Sequence, residues 1–383
     1  MTDALIIGGG IAGAVTAMAL KKAGHNPAIY EAYPTGADDI GAFLTIMNNG
    51  LDALRAIDAH QPVIDNSFAA NEVEFLNGQG TRLGLQPLGG DGDINGPRTL
   101  TRATLYRILH DEATRRGIPV IHDKRLIQAL RQDDKTIATF ADGSTAAGDL
   151  LVGADGIHSI TRSIIDPTAP APRYAGLNIA YGYAHDADLP TAANSYRMIF
   201  GGQAFFGYTT APDGQTWWFA RVPAPELTET VPQSEIKTRL TEAFAADNSP
   251  AGDIVAATTD EIHLSNAYDV PTTPTWHRDS MILVGDAAHA ASPAAGQGAS
   301  MAIEDSVTLA QCLRDITDHD QAFRTYEHLR RPRVEQLVAT SAEDGARAAQ
   351  GTANAQDVTD RQDTRAWLYR HHIEWDTRVT PVA

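Results

Sequence analysis

The stretch ALIIGGGIAGAVTAMALKKAGHNPAIYEA, residues 4–32, decides how the chain begins and with it the class of fold. Ala4 to Ile7 is a short apolar run suited to a buried parallel strand, and Ile11 to Lys22 carries small apolar residues at helical spacing up to Gly24. Ala28 to Tyr30 makes a second strand closing on Glu31. Strand, helix and strand together fill about 30 residues, the length of a βαβ unit. Between the first strand and the helix lies Gly8-x-Gly10-x-x-Gly13. Gly8 permits the tight turn, Gly10 lets a pyrophosphate approach the backbone, Gly13 allows close helix-strand packing, and the helix N-terminus attracts phosphate charge. Glu31 stands 18 residues past Gly13, where a carboxylate accepts hydrogen bonds from an adenosine ribose. The pattern specifies a dinucleotide and does not choose between NAD and FAD.

Two later stretches have the same design. LLVGADGIHSITR, residues 150–162, is a buried strand stopping at the turn Asp155-Gly156, with Arg162 on the helix that follows. MILVGDAAHA, residues 281–290, is a strand with Asp286 at its carboxyl end, the edge where open α/β sheets bind ligands. It runs into GDAAHAASPAAGQGASMAIEDS, residues 285–306, where glycines and Pro293 strip the bulk from a loop just before a helix over Ala299 to Leu313.

Elsewhere, Leu51 to Ala59 and Arg102 to Arg116 read as amphipathic helices, and NEVEFLNGQGTRLGLQPL between them as a hairpin turning at Gly78 and Gly80. Short strands follow over 118–152, with DGS at 142–144 as a turn. From about 173 to 264 the texture is aromatic-rich strand, with APDG at 211–214 as a turn. After 280 the small-residue α/β texture returns. The expected organisation is an α/β, Rossmann-like dinucleotide-binding domain made of residues 1–70, 98–172 and 265–345, an inserted β-rich substrate domain of 71–97 and 173–264, and a helical C-terminal tail of 346–383.

A formal charge of -18 argues against nucleic acid as a partner, since phosphate binding needs clustered basic residues and no Lys/Arg run occurs. The single cysteine, Cys312, excludes an internal disulfide and a cysteine-rich metal site, and reads as a buried structural thiol. The N-terminus lacks a signal-peptide pattern and no apolar run approaches the roughly 20 residues of a membrane span, so a cytoplasmic protein with no membrane partner is expected. Oligomeric state, monomer or homodimer, stays open.

Three ordered motifs, GGGIAG at 8–13, GADGIHSITR at 153–162 and the stretch 285–306, resemble the class A flavoprotein monooxygenases, which include para-hydroxybenzoate, salicylate and urate hydroxylases and tetracycline-inactivating monooxygenases. The likeness covers nearly the whole chain. It implies a para-hydroxybenzoate hydroxylase-like fold, tightly and non-covalently bound FAD, and NADH or NADPH as co-substrate with O2. A flavin C4a-hydroperoxide would then hydroxylate or epoxidise an aromatic or polycyclic small molecule, natural products and antibiotics among the candidates. Carried over by position, Gly8, Gly10 and Gly13 take the pyrophosphate, Glu31 the adenosine ribose and Asp286 a ribityl hydroxyl. Asp155 falls near the pyrophosphate and the nicotinamide path, supported by Arg162. Arg102 in TRATLYRIL contacts the cofactor, the backbone of Leu126 in KRLIQAL meets the adenine end, and GAFLTIMNNG, residues 41–50, passes along the isoalloxazine. Ala12, Ala32, Thr45, Gln297 and Ala299 complete the implied cofactor-binding set.

Flavin chemistry gives the stripped loop a reason. Hydride transfer leaves negative charge around N1 and the C2 carbonyl of the flavin, and a helix starting near Gly298 offers that edge unpaired N–H groups and the positive end of its dipole. Glycines at 296 and 298 let backbone reach the ring. Pro293 and Ala294 would border the face where O2 adds, which must be shielded from water. The flavin itself is the reacting group, so no metal or nucleophilic triad is expected. HHIEWD at 371–376 reads as a solvated helix end, and His289 as a packing residue with a backbone hydrogen bond.

Tyr181, Tyr183, Met198, Phe200, Phe206, Tyr208, Trp217 and Phe219 supply enough aromatic surface to wall a pocket for a flat substrate, although the inward strand face cannot be read from the sequence. By the resemblance, Ala204 falls where the urate-hydroxylating branch has a substrate-contacting arginine, which points to a neutral or larger apolar substrate. A flavin-dependent halogenase is disfavoured, because no lysine occurs between Lys22 and Lys124 and TWWFARVP lacks a second spaced tryptophan. An FAD-dependent dehydrogenase or reductase of the same fold, and a catalytically silent flavin- or ligand-binding protein, stay open.

Overall fold

Asp3–Ile7 is buried at its four apolar positions, as befits a strand covered on both faces of a parallel sheet. In the computed structural model it pairs in parallel with Leu150–Gly153 on one side and Asn26–Tyr30 on the other. The sheet extends from Leu150–Gly153 to Met281–Leu283 and His277–Arg278, and from Asn26–Tyr30 to Val120–Ile121. The structure describes residues 1–35, 42–89, 96–185, 194–292, 296–350 and 365–382, and of 344–350 the backbone alone. All three motif-bearing strands therefore lie in one sheet, with their carboxyl ends along one edge. Three antiparallel strands, Leu126–Gln132, Lys135–Phe140 and Thr145–Gly148, form a small second sheet.

The helices Ile11–Lys22 and Gly298–Asp315 pack together across the molecule, which their small side chains permit. Thr16 donates to Ser306 Oγ at 2.9 Å, and Ser306 donates to the Ala12 carbonyl at 3.1 Å. Cys312 lies fully buried on the second helix, and burial pushes its thiol up to about 12. Among the described residues no helix is long and apolar enough to cross a membrane.

The aromatic-rich segments build a seven-stranded sheet in the order His263–Asp269, Arg173–Ala184, Thr216–Pro223, Phe205–Thr210, Ser195–Phe200, Glu72–Asn77 and Arg82–Pro87. The hairpin at 72–87 joins it through a parallel pair with Ser195–Phe200. The sheet also runs past the expected division at 264, since its edge strand continues to Asp269. Two helices, Gln233–Phe244 and Ala251–Ala257, lie within the region read as strand. They are there because one sheet face is too apolar for water: Ile236, Leu240, Phe244, Ile254 and Val255 cover Phe206, Tyr208, Trp218 and Ala220.

Two further expectations need correction. The helix expected from Leu51 is Asn48–Ala56, with its first turn buried. The 371–376 segment follows a helical turn and keeps His372, Glu374 and Asp376 exposed, but it is also docked by hydrogen bonds. The Ile373 N–H donates to Asp52 at 2.8 Å, His372 Nδ1 lies 2.8 Å from the same carboxylate, and Gln311 donates to the Glu374 carbonyl at 2.9 Å. No group of three or more potential metal ligands occurs among the described residues.

Candidate active site

The first glycine loop is shaped by contacts that exclude side chains. A Cβ on Gly13 would lie 1.9 Å from the Gly8 carbonyl oxygen, and one on Gly8 would lie 2.5 Å from that of Ala154. Gly8 has φ of +100°, which glycine adopts without strain. Nothing in the protein lies within 4 Å of a Cβ on Gly10, so this position faces open space. The third motif closes on the same point, since a Cβ on Gly285 would meet the Cβ atoms of Ala302 at 3.0 Å and Ala12 at 3.1 Å. The three motifs thus share one junction at the sheet edge.

At the end of the second strand, Glu31 is buried and accepts the Gly9 N–H at 2.6 Å and the Tyr33 N–H at 3.0 Å, with Ala32 between. His110, stacked on Tyr106, donates to the Gly9 carbonyl and braces the loop from the helix Arg102–Arg115. Arg102, exposed at the start of that helix, donates its backbone N–H to Ala42 at 3.0 Å. Leu126 has its side chain in the core and pairs with Phe140 at a register shift. The Asp155 side chain is spent within its own turn. Its carboxylate accepts from Ser159 at 2.5 Å and from the Thr161 N–H at 2.9 Å, capping the helix Ile160–Ile165, and burial pushes the carboxyl up. Buried Arg162 ties this turn to the third motif, donating to the carbonyls of Ile157 at 2.6 Å and Ala287 at 3.0 Å.

The helix Gly298–Asp315 begins beside the strand end carrying Asp286, whose Oδ1 is the nearest atom to a Cβ on Gly298, at 3.9 Å. Gly296 has φ of +63°, and Gly296 and Gly298 are exposed with Ala299 half-buried. Pro293 and Ala294 lie outside the described residues. The segment 45–50 approaches from the other side. The Met47 N–H donates to Ser300 Oγ at 3.1 Å, and Thr45 shares hydrogen bonds with Thr99 and the Tyr196 hydroxyl. Burial pushes that hydroxyl up to about 12.

Three buried side-chain atoms around this junction have no hydrogen-bond partner among the described residues: Gln297 Nε2, Asn48 Oδ1 and Asn49 Oδ1. One donor and two acceptors beside a helix N-terminus suit the mixed donor and acceptor edge of an isoalloxazine, and open space at Gly10 suits a pyrophosphate. The residues present therefore fit FAD.

Behind the junction lies a charge network that the sequence reading missed. Glu304 and Asp305, both fully buried, are held by Arg330 at 2.5 and 2.7 Å, and Arg333 donates twice to Glu304 at 2.7 and 2.8 Å. His289 donates to Asp305, so its ring bonds a carboxylate rather than the backbone. Burial opposes ionisation of Glu304, yet the two guanidiniums outweigh it and hold the carboxyl at about 2. The available signal was a pair of adjacent acids set among Met301, Ile303 and Val307.

Strand alternation sorts the aromatic candidates. Tyr181, Tyr183, Met198, Phe200, Trp217 and Phe219 share the face opposite the helices. Phe206 and Tyr208 point the other way and pack against the helices, so they do not share the face expected to wall a substrate. Ala204 is also in that helix-side cluster, and its neighbour Phe205 takes the pocket face. Phe43, on the segment that leads to Met47, packs into this aromatic face, with ring centroids 5.6 Å from Trp217, 6.0 Å from Phe219 and 6.5 Å from Tyr183. Arg221, buried, stacks over Phe205 at 3.9 Å on the same face.

This chain belongs to the FAD binding domain family, whose model matches residues 1–341, and within it to the flavoprotein monooxygenases that its motifs resemble. It is 30% identical over 382 residues to the 3-amino-4-hydroxybenzoate 2-monooxygenase PtnB3 of Streptomyces platensis, covering 95% of this chain and 94% of that one. It is 29% identical over 349 residues to the aurachin C monooxygenase/isomerase of Stigmatella aurantiaca, covering 88% and 87%. The crystal structure of Klebsiella pneumoniae HpxO complexed with FAD and uric acid superposes with a TM-score of 0.82 at 25% identity, over 97% of this chain and 93% of that chain.

Proposed function

We propose that this enzyme takes two electrons from NADH or NADPH, inserts one atom of O2 into a flat aromatic or polycyclic molecule lying against Tyr181, Tyr183, Met198, Trp217 and Phe219, and reduces the other atom to water. FAD, when bound, supplies the hydride acceptance and the oxygen activation. Gly8, Gly10, Gly13 and Glu31 hold its adenosine diphosphate half, Asp286 its ribityl chain, and Gln297, Gly298 and Ala299 its ring edge. The substrate domain is taken as residues 71–97 and 173–269.

The observation that carries the reading is Phe43. It begins the strand Phe43–Ile46, whose continuation binds Ser300 through Met47, and its ring packs into the aromatic wall. One short segment thereby places a dry aromatic surface next to the helix N-terminus, and exclusion of water there protects an activated oxygen species from unproductive decay. The aromatic face with Phe205 favours a flat substrate, and the guanidinium of Arg221 over Phe205 puts a cationic group on that face.

The test is oxygen uptake by the FAD-loaded protein with NADH or NADPH against a panel of neutral and carboxylated aromatic and polycyclic compounds. Substrate-stimulated O2 consumption with an oxygenated product is expected. Substrate oxidation that needs no O2 would replace the reading with a dehydrogenase.

A further inference from the structure

The polar groups at the ring-edge junction are ordered in one direction. Glu304 is an acceptor only, since two arginines keep it ionised. Asn49 lies 2.6 Å from Glu304 Oε1 and can meet it only with its amide nitrogen, because its oxygen there would face a carboxylate oxygen. The same nitrogen lies 3.1 Å from the side chain of Gln297, so its second hydrogen requires the Gln297 oxygen. Gln297 is left presenting Nε2, which is buried and has no partner among the described residues, one residue before the helix Gly298–Asp315. The side chain does not cap its own helix, so capping does not explain its placement.

We propose that Glu304 and Asn49 form a polarity relay that fixes Gln297 as a hydrogen-bond donor to bound FAD, making Asn49 a positioning residue that sets the flavin's reduction potential. The inference rests on the FAD-binding reading. A donor at the edge where negative charge accumulates on reduction favours the reduced form, whereas the reversed amide would oppose it. The relay starts from a carboxylate, yet Glu304 and Asp305 are matched by Arg330 and Arg333, so the network sets orientation without placing net negative charge behind the ring. Asn49 comes from the helix Asn48–Ala56 and Gln297 from the far end of the chain, so the relay also reports that the two segments are correctly docked.

The experiment is a reductive titration of the FAD-loaded protein against a redox dye, for wild type, Gln297→Met, Asn49→Leu and the double variant. Each single variant is expected to lower the two-electron reduction equilibrium about tenfold, roughly 30 mV. The double variant should fall no further than Gln297→Met alone, because Asn49 acts only through Gln297. Asn49→Ser, a smaller change, carries the same expectation should the leucine variant fail to fold. A wild-type potential in the Asn49 variants, or additive shifts in the double variant, would overturn the relay. The titration uses neither nicotinamide nor substrate, so a negative result in a fully FAD-loaded protein overturns the relay and leaves the monooxygenase reading standing. A wild-type chain that takes up no FAD would overturn both.

Discussion

Met47 and Ser300 are 253 residues apart in the chain and meet beside the N-terminus of the helix Gly298–Asp315, where the Met47 N–H donates to Ser300 Oγ at 3.1 Å in a buried setting. The contact is tight as well as polar. A Cβ on Gly50 would lie 2.7 Å from Ser300 Oγ and 3.0 Å from its Cα. Ser300→Ala leaves a buried N–H unpaired and should cost about 1–3 kcal/mol of stability. Gly50→Ala should weaken FAD retention, because the backbone of the ring-edge helix must shift. Thermal unfolding and the FAD-to-protein absorbance ratio check both.

Two glycines of the first loop should behave oppositely. Gly13→Ala places a methyl 1.9 Å from a backbone oxygen and should yield little folded protein. Gly10→Ala meets no protein atom and sits at φ of -67°, so its apoprotein should melt like wild type. Its FAD dissociation constant should rise tenfold or more, about 1.4 kcal/mol, because the methyl occupies the pyrophosphate's space.

The two faces of the large sheet make another pair. Phe206→Ala removes a ring stacked on Trp218 at 5.5 Å beneath the covering helices, and should destabilise by about 3–5 kcal/mol. Phe219→Ala changes the opposite face and should instead weaken substrate stimulation of NAD(P)H oxidation, with thermal stability reduced less. Calorimetry together with steady-state rates separates the two.

Acid stability follows from the buried carboxylates. Glu304 falls from an ordinary 4.5 to about 2 in the folded state, and Asp305 is also held low, by His289 and Arg330 against the burial that raises it. A depressed folded-state value stabilises the native protein above the ordinary value, and that stabilisation is lost as pH falls through the folded one. The contribution should therefore be constant near neutrality and disappear between about pH 4.5 and 2. Glu304→Gln should be destabilised at neutral pH by about 3–5 kcal/mol, since it strands buried guanidinium charge, and should show a shallower acid transition. Unfolding midpoints measured against pH test this.

Much of the cofactor half was legible because its signals are local. The helix Ile11–Lys22 has the bounds its small residues and Gly24 suggested, and the helix after the stripped loop starts at Gly298, one residue before the expected Ala299. The substrate half was harder, for two reasons. Alternation gives a period but not a sign, so Phe206 and Phe219 look alike until the covering helices assign the faces. Those helices escaped notice because Gln233 to Ala257 reads as polar next to its aromatic neighbours. Asn48, Asn49 and Gly50 look like turn formers, yet they open a buried helix because Gln297, Glu304 and Gly89 supply their hydrogen-bond partners from elsewhere in the chain. Arg330 and Arg333 resemble surface charges on a long polar helix, and only the tertiary contact with Glu304 and Asp305 marks them.

The central claim is that three separated loops hold one FAD with its electron-rich edge at the Gly298 helix. A crystal structure of the FAD-loaded protein tests it most directly. The pyrophosphate should lie over Gly10 and the pyrimidine edge of the ring within hydrogen-bonding distance of the Gln297 side chain or the backbone N–H groups that follow it. A dinucleotide seated at Gly10 with its ring directed away from Gly298, or a nicotinamide dinucleotide held there in FAD's place, would contradict it.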